Sequence, residues 1–157
     1  MSSAYRNDQA ARQAVAAALS RLLADTYTLY LKTQGFHWNV AGPRFYELHK
    51  LFEEQYGALA AANDEIAERI RALGVKAPAS FGAFKQLASI AEEEGAPAAA
   101  EMVRRLLADN LSAARSAAAA VEAAEAQDDA GSADLATQRI RAHEKAAWML
   151  ESLLARE

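Results

Sequence analysis

The chain has 157 residues, of which 52% are hydrophobic and 24% charged, enough material for one domain with a buried core over residues 1–157. It has no cysteine, which excludes disulfides, thiolate metal sites and a cysteine nucleophile. The net charge of −4 disfavours a general nucleic-acid binder, and no uncharged stretch is long enough for a membrane span. Residues 1–13 carry Arg6, Asp8 and Arg12 without an apolar run, so no secretory signal is expected and a cytoplasmic protein is predicted.

The first half of the chain predicts two long helices. Apolar residues recur every three or four positions from Asn7 to about Gly35, which is the period of an amphipathic helix. A second helix is predicted from about Pro43, a residue suited to a first helical turn, to Leu73, with Gly74 as its stop. Only a short loop separates these two helices.

The second half of the chain predicts a crossover and two more helices. Prolines and glycines interrupt the stretch Val75–Pro97, in which only Phe84–Ile90 has a helical pattern. A third helix is predicted over Ala98–Ala126. After a short break, with Ser132 as the predicted N-cap, a fourth helix covers Leu135–Leu154.

This order of elements is typical of an all-α, ferritin-like four-helix bundle with a short helix in the long crossover between the second and third helices. Cytokine-like bundles also use long crossovers, so the fold class assigns no chemistry by itself. Bundles with a di-iron site inside one chain usually carry Glu-x-x-His on two helices, and this motif is absent from the sequence.

One face of the second predicted helix has metal-ligand side chains at both ends and small residues in the middle. Six positions at spacings of three and four form this face: His49, Glu53, Gly57, Ala60, Asp64 and Glu68. Imidazole and carboxylate groups are ligands that iron, manganese and zinc accept. Taken singly, such helical pairs are more often part of a solvated helix face than of a metal site.

The two ends of this face are too far apart to bind one metal within a single chain. Glu53 and Asp64 are eleven residues apart, or about 16 Å along a helix axis. If the same helix of a second copy packs antiparallel across a two-fold axis, position 49 meets 68 and position 53 meets 64. Both pairings place the axis at the same point of the helix, between Gly57 and Ala60. Such a dimer would assemble two identical sites, each combining His49 and Glu53 with the Asp64–Glu68 pair of the other copy.

Two segments of the sequence resemble the signatures of the Dps family, the mini-ferritins named DNA-binding proteins from starved cells. Residues 37–53, HWNVAGPRFYELHKLFE, resemble the first signature, and residues 64–69, DEIAER, followed by Leu73-Gly74, resemble the second. The sequence departs from the family pattern at Asn63, where an apolar residue is usual, and at Glu53, where aspartate is frequent.

The resemblance implies a hollow shell of twelve subunits with a ferroxidase centre, holding two irons, at each two-fold interface. It assigns the first iron to His37 of one chain and to Asp64 and Glu68 of its partner. The second, more weakly held iron is assigned to His49 and Glu53, with Glu68 bridging. Fe(II) would be oxidised there by hydrogen peroxide or dioxygen and stored as ferric mineral, which protects DNA from oxidative damage.

Further residues are assigned by the same resemblance. Trp38 is similar to the tryptophan that lies close to the irons in the family, although packing at an interface explains it equally well. Four acidic residues before the fourth helix resemble the lining of the iron entry pores: Glu125, Asp128, Asp129 and Asp134. Glu54 is a candidate for mineral nucleation, and His143 is predicted to be structural.

Three functions therefore stand open at the level of sequence. The first is a ferroxidase and iron store, the second a nucleoid protein that acts mainly by binding DNA, and the third a helical interaction protein with an incidental acidic face. Before the first helix Arg6 is the sole basic side chain, and twelve copies of a chain with a charge of −4 form a negative shell. DNA binding is therefore not expected at neutral pH.

Overall fold

Five helices form the fold in the computed structural model, which describes residues 8–155. They are α1 (Gln9–Asn39), α2 (Phe45–Ala72), α3 (Phe81–Leu87), α4 (Ala99–Glu125) and α5 (Ala130–Leu154). The predicted all-α bundle with a short crossover helix is thereby confirmed, and no strand occurs among the described residues. Within residues 8–155, none of the helices is both long and apolar enough to cross a bilayer. The expectations about Arg6 and a secretory signal concern residues that lie partly or wholly outside this range.

The first two helices differ from their predicted bounds at the loop between them. α1 continues through Gly35 to Asn39, and the Val40 N–H closes the last turn on the Phe36 carbonyl at 2.9 Å. α2 begins at Phe45 and not at Pro43, because Gly42 adopts a φ of +112° and turns the chain before the helix starts. The extra turn of α1 places residue 37 inside a helix.

The starts of α3 and α5 are set by side-chain caps that the sequence analysis did not select. Ser80 accepts a hydrogen bond from the Ala83 N–H, so the crossover helix covers residues 81–87 and not 84–90. The predicted N-cap Ser132 is wrong, because Asp129 caps α5 by accepting from the Ser132 N–H at 3.0 Å. Aspartate and serine are both good N-caps, and in α5 the helix begins after Asp129, the earlier of the two.

The bundle consists of two hairpins, α1 with α2 and α4 with α5, joined through contacts between α1 and α4. α4 presents a face of fully buried alanines to this junction: Ala113, Ala117, Ala120 and Ala124. Ala117, Ala120 and Ala124 share one apolar cluster with leucines of α1 such as Leu19. Ala113 belongs to a second cluster with Leu29 of the same helix. The small side chains let the two helix axes approach closely while the leucines fill the space between them.

One buried carboxylate fastens the crossover to the bundle. Asp25 of α1 accepts hydrogen bonds from the backbone N–H groups of Ser89 and Ile90 at 2.7 and 3.0 Å, and from the Ser89 hydroxyl at 2.7 Å. The Ser116 hydroxyl of α4 also donates to it. The burial of the Asp25 charge is therefore compensated by four donors from two segments of the chain, the crossover and α4.

His143 is buried between α4 and α5, with 1% of its surface exposed. Its Nδ1 lies 3.0 Å from the Asn110 Oδ1, which can only accept, so Nδ1 carries the proton. Arg139 donates to Nε2 at 3.3 Å. Burial, with a smaller contribution from the Arg139 charge, lowers the pKa of His143 to about 3, so the ring is neutral at physiological pH.

Because of this histidine, the free energy of unfolding is expected to decrease as the pH is lowered. Below pH 6.5 the unfolded chain takes up a proton that the folded chain excludes down to about pH 3, so the stabilisation is present above pH 6.5 and is lost on acidification. The loss amounts to about 2 kcal/mol between pH 6.5 and pH 5. Urea unfolding at several pH values should show a flatter pH dependence for His143→Gln than for the wild type. Equal slopes in the two proteins would contradict the assignment.

Candidate metal centre

The centre is built around two stacked histidines from neighbouring helices. His37 lies in the last turn of α1 and His49 in the first turns of α2, on either side of the short loop. Their rings are 3.9 Å apart between centroids and 13° from parallel. Phe45 stacks on the outer face of His49 at 5.0 Å, so one face of the pair is covered by an apolar ring.

Reciprocal hydrogen bonds fix the tautomer of both rings. The Nδ1 of His37 lies 2.7 Å from the His49 carbonyl oxygen, and the Nδ1 of His49 lies 2.8 Å from the His37 carbonyl oxygen. Because a carbonyl can only accept, both Nδ1 atoms carry a proton, which leaves the Nε2 lone pair of each neutral ring available. A ring N–H bound to a backbone carbonyl is the usual arrangement of a metal-ligating histidine.

The local fold explains why these bonds form. The last carbonyl groups of a helix have no partner within the helix, and His37 contributes one of these groups at the end of α1. The extra helical turn after Gly35 brings this carbonyl beside α2, where the ring of His49 donates to it. The same contact satisfies a helix end and orients a ligand.

Glu53 extends the histidine side of the centre by one helical turn. It is exposed on α2 and its Oε2 lies 3.4 Å from the Lys50 Nζ. Such a surface ion pair contributes at most about 1 kcal/mol, so a divalent cation can displace the lysine readily.

The carboxylate side of the centre is a pair of acids one turn apart. The hydrogen bond to Asp64 and then the charge of Asp64 raise the pKa of Glu68 above its ordinary value. Both side chains are exposed. Two carboxylates held in contact favour a shared proton or a bound cation.

Within the described part of the chain, no three His, Asp or Glu side chains come together as a metal-binding group. The structure brings His37, His49 and Glu53 to one end of α2 and leaves Asp64 and Glu68 toward the other. The complete ligand set therefore stays a prediction that requires a second copy of the chain.

The surface beside the histidines has the character of a contact face. Leu31, Trp38 and Phe81 are large, exposed and apolar, and all three line one surface cavity of about 410 Å³. Trp38 follows His37 directly and is 62% exposed. Exposed apolar clusters of this kind mark interaction surfaces. On α2, a Cβ at Gly57 would have no atom within 4 Å, so the middle of the predicted face is open.

The four acidic residues around the junction of α4 and α5 include one structural residue. Asp129 is 2% exposed, and besides capping α5 it accepts from the Arg69 Nη2 at 2.8 Å. An added Cβ at Gly131 would lie 2.9 Å from the same guanidinium, so a larger residue there would displace the end of the Arg69 side chain. Three further residues are exposed and remain predictions as pore residues: Glu125, Asp128 and Asp134. The exposed Glu54 likewise remains a prediction as a nucleation residue.

Sequence reasoning missed two aromatic residues of the centre. Tyr56 contacts His37 edge to face at 5.2 Å between ring centroids, and Phe45 stacks on His49. On α2, Phe45 lies one turn before His49 and Tyr56 two turns after it, so helical spacing could have suggested both, although the histidine that Tyr56 contacts belongs to α1. At Asn63, the departure from the family pattern, the side chain is 8% exposed and its Oδ1 has no hydrogen-bond donor within residues 8–155.

Comparison with known proteins agrees with this geometry. A family model described as a ferritin-like domain matches residues 16–157. A DNA protection during starvation protein of Brevibacillus brevis is 38% identical over 143 residues, which cover 91% of this chain and 96% of the relative.

Solved structures give the same result. The crystal structure of a Dps protein from Bacillus brevis superimposes with a TM-score of 0.90 at 37% identity, covering 93% of this chain and 98% of the other. A Dps protein from Vibrio cholerae O1, described as a member of a broad superfamily of ferritin-like diiron-carboxylate proteins, has a TM-score of 0.90 at 34% identity. In that case the match covers 94% of this chain and 93% of the other.

Proposed function

Because this chain belongs to the Dps family of ferritin-like proteins, we propose that it is a ferroxidase and iron store whose centres form between two copies related by a two-fold axis. Each centre takes His37, His49 and Glu53 from one copy and Asp64 and Glu68 from the other. The observation that carries the proposal is the reciprocal pair of hydrogen bonds between His37 and His49, which leaves the Nε2 lone pair of both rings available to a metal.

The ligand types suit iron as a substrate. Two imidazoles and three carboxylates accept both Fe(II) and Fe(III), and the carboxylates offset part of the positive charge of the oxidised irons. Two Fe(II), one hydrogen peroxide and two protons give two Fe(III) and two waters. With both electrons delivered at one centre, peroxide is reduced without release of hydroxyl radical.

The residues of this chain have separate tasks in that reaction. His37 is buried and fixed at Nδ1, so it offers a preorganised ligand with little loss of rotamer freedom. The Asp64–Glu68 pair supplies charge and accepts or releases a proton. Glu53 is exposed and bound to Lys50, which makes the position it shares with His49 the weaker of the two iron sites.

The proposal is tested by measuring the mass of the assembled particle and the rate of Fe(II) oxidation. A shell of twelve chains should scatter light as about twelve times the chain mass of 16.9 kDa. The near-ultraviolet absorbance of the ferric product should rise rapidly when Fe(II) and then peroxide are added to the protein. A monomer at micromolar concentration, or oxidation no faster than in buffer alone, would refute the interchain centre.

Substitutions of the two histidines should have unequal effects. His37→Gln removes a ligand of the first, tighter iron and should slow peroxide-dependent oxidation by more than about tenfold. His49→Gln affects the looser iron and should act mainly by raising the Fe(II) concentration needed for the full rate. Stopped-flow oxidation at several Fe(II) ratios measures both. Equal defects at every ratio would contradict the order of the two sites.

Protection of DNA is proposed to be chemical, through removal of Fe(II) and peroxide. In the described residues, basic side chains such as Arg69 and Arg105 are bound to acids, and the net charge of the chain is −4. We expect no retardation of DNA in a gel at neutral pH and physiological salt without a divalent cation. A salt-sensitive shift under these conditions would instead support direct DNA binding.

A further inference from the structure

Three of the five tyrosines of the chain form a continuous row that begins at the histidine pair. The ring of Tyr56 meets that of His37 edge to face at 5.2 Å, and meets that of Tyr30 in the same way at 6.1 Å. Tyr30 meets Tyr27 at 5.5 Å. All three tyrosines are partly buried, so the row runs between α1 and α2 with its rings shielded from bulk solvent.

The far end of the row reaches the other half-centre of the same chain. Tyr27 and Tyr30 line a cavity of about 580 Å³ whose wall also includes Asp64. In the proposed two-fold pair, His37 and Asp64 of one chain belong to different centres. The row of one chain therefore leads from one centre of the pair toward the other.

A centre that holds a single iron has an electron deficit. Reduction of hydrogen peroxide to two waters consumes two electrons, and one Fe(II) supplies one. Single occupancy is expected because Glu53 of the second iron site is exposed and bound to Lys50. Without another donor nearby, the product of one-electron reduction is a hydroxyl radical.

We propose that Tyr56 supplies the second electron and that Tyr30 and Tyr27 pass the oxidising equivalent to the neighbouring centre; this inference rests on the ferroxidase function proposed above. In the first step, one Fe(II), one hydrogen peroxide, one proton and the phenol of Tyr56 give one Fe(III), two waters and a neutral tyrosyl radical. The O–O bond of peroxide and the O–H bond of the phenol break.

The second step restores the phenol. The oxidising equivalent passes along the row, and Fe(II) in the neighbouring centre, together with a proton, converts the radical to the phenol and becomes Fe(III). The two steps sum to two Fe(II), one peroxide and two protons giving two Fe(III) and two waters. Two centres with one iron each thereby achieve what one full centre does.

Ring contact with the histidine pair favours Tyr56 over Trp38 as the donor. Trp38 is 62% exposed in a surface cavity of the chain, whereas Tyr56 is part-buried and in ring contact with His37. Tyr46 provides a matched control, because it is 72% exposed and its ring lies under the Lys50 ammonium group, outside the row.

The experiment uses the assembled protein loaded anaerobically with one Fe(II) per centre, mixed with excess peroxide and freeze-quenched for EPR. The wild type and Tyr46→Phe should give a tyrosyl radical, whose spectrum narrows when the protein is made with deuterated tyrosine. Tyr56→Phe should lose the radical and release hydroxyl radical to a spin trap. Tyr30→Phe should form the radical but prolong its lifetime, because the path to the neighbouring centre is interrupted.

Two outcomes would overturn the inference. A radical that persists in Tyr56→Phe, or that deuterated tyrosine does not narrow, places the donor elsewhere, with Trp38 as the alternative. An unchanged radical lifetime in Tyr30→Phe refutes the transfer step. Phenylalanine keeps each ring in place, and light scattering checks that the variants assemble.

A parallel sample with two Fe(II) per centre separates this inference from the proposed function. Rapid Fe(II) oxidation there, without a tyrosyl radical at one iron per centre, refutes the relay and leaves the ferroxidase intact. Absence of rapid oxidation in the wild type refutes both.

Discussion

Replacing Asp64 by asparagine and Glu68 by glutamine in one variant should abolish rapid oxidation of Fe(II) while the subunits still assemble. The two carboxylates are the charged ligands that one copy contributes to each proposed centre. Without them, the imidazoles of the other copy have no anionic co-ligand for the tighter iron. The loss of rate should exceed the ~10–100-fold cost of removing an outer partner of a metal ligand.

The same variant should be at least as stable as the wild type in the absence of metal. The contact between the two acids raises the pKa of Glu68, which means that the two charged forms repel each other. Amides of the same shape remove this repulsion. A thermal unfolding midpoint that is unchanged or higher, together with lost oxidation, is the pattern of a functional site and not of a structural one.

Glu65→Gln is the matched control for this variant. Glu65 is an exposed carboxylate on the same helix, next to Asp64 but off the predicted face. The Glu65→Gln variant should oxidise Fe(II) at the wild-type rate. Unchanged kinetics in the Asp64/Glu68 double variant would rule out these residues as ligands.

Gly57→Phe should prevent the pairing of subunits and, with it, the formation of both centres. Outside the nearby backbone of α2, no described atom lies within 4 Å of a Cβ at this position, so a side chain can start here without a contact inside the subunit. In the proposed antiparallel pair, however, the small residues of α2 lie where the two helices cross, and a bulky side chain there would hold them apart. Light scattering should show a smaller particle, and Fe(II) oxidation should fall to the level of the ligand variant.

Gly57→Ala is the matched control for the size of the side chain. Alanine is favoured over glycine in a helix by about 1 kcal/mol, and it remains small enough for close contact. This variant should assemble and oxidise Fe(II) normally. If Gly57→Phe assembles as well as Gly57→Ala, the two-fold axis does not pass through this part of α2.

Local patterns predicted the helices of this chain well, because the spacing of apolar residues is set by the helix itself. The bounds of α5 were harder, because Asp129 and Ser132 are both competent caps three positions apart and composition does not rank them. α1 passes through Gly35 because the turn after it is supported by the bond from His49, a contact between two helices that the order of residues does not reveal.

In the candidate centre too, features set by helical spacing were predictable, and features set by contacts between helices were not. The ligand-bearing face of α2 depends on spacing alone, so the sequence was sufficient to place His49, Glu53, Asp64 and Glu68 on it. The protonation of the histidine rings depends on which carbonyl groups lie near them in space. The burial of Asp129 was equally hidden, because its partner Arg69 is 60 residues away. The types of the candidate ligands were thus accessible from sequence, and the orientation of the histidine rings was not.

The attachment of the crossover to Asp25 has a consequence for how sequences of this type diverge. Two of the four donors are backbone N–H groups, those of Ser89 and Ile90, and any residue except proline supplies such a donor. An alignment of related chains should therefore show a carboxylate retained at position 25 and proline excluded at positions 89 and 90. The hydroxyl that Ser89 also donates and the burial of Ile90 restrict the side chains at these two positions separately from the backbone contact.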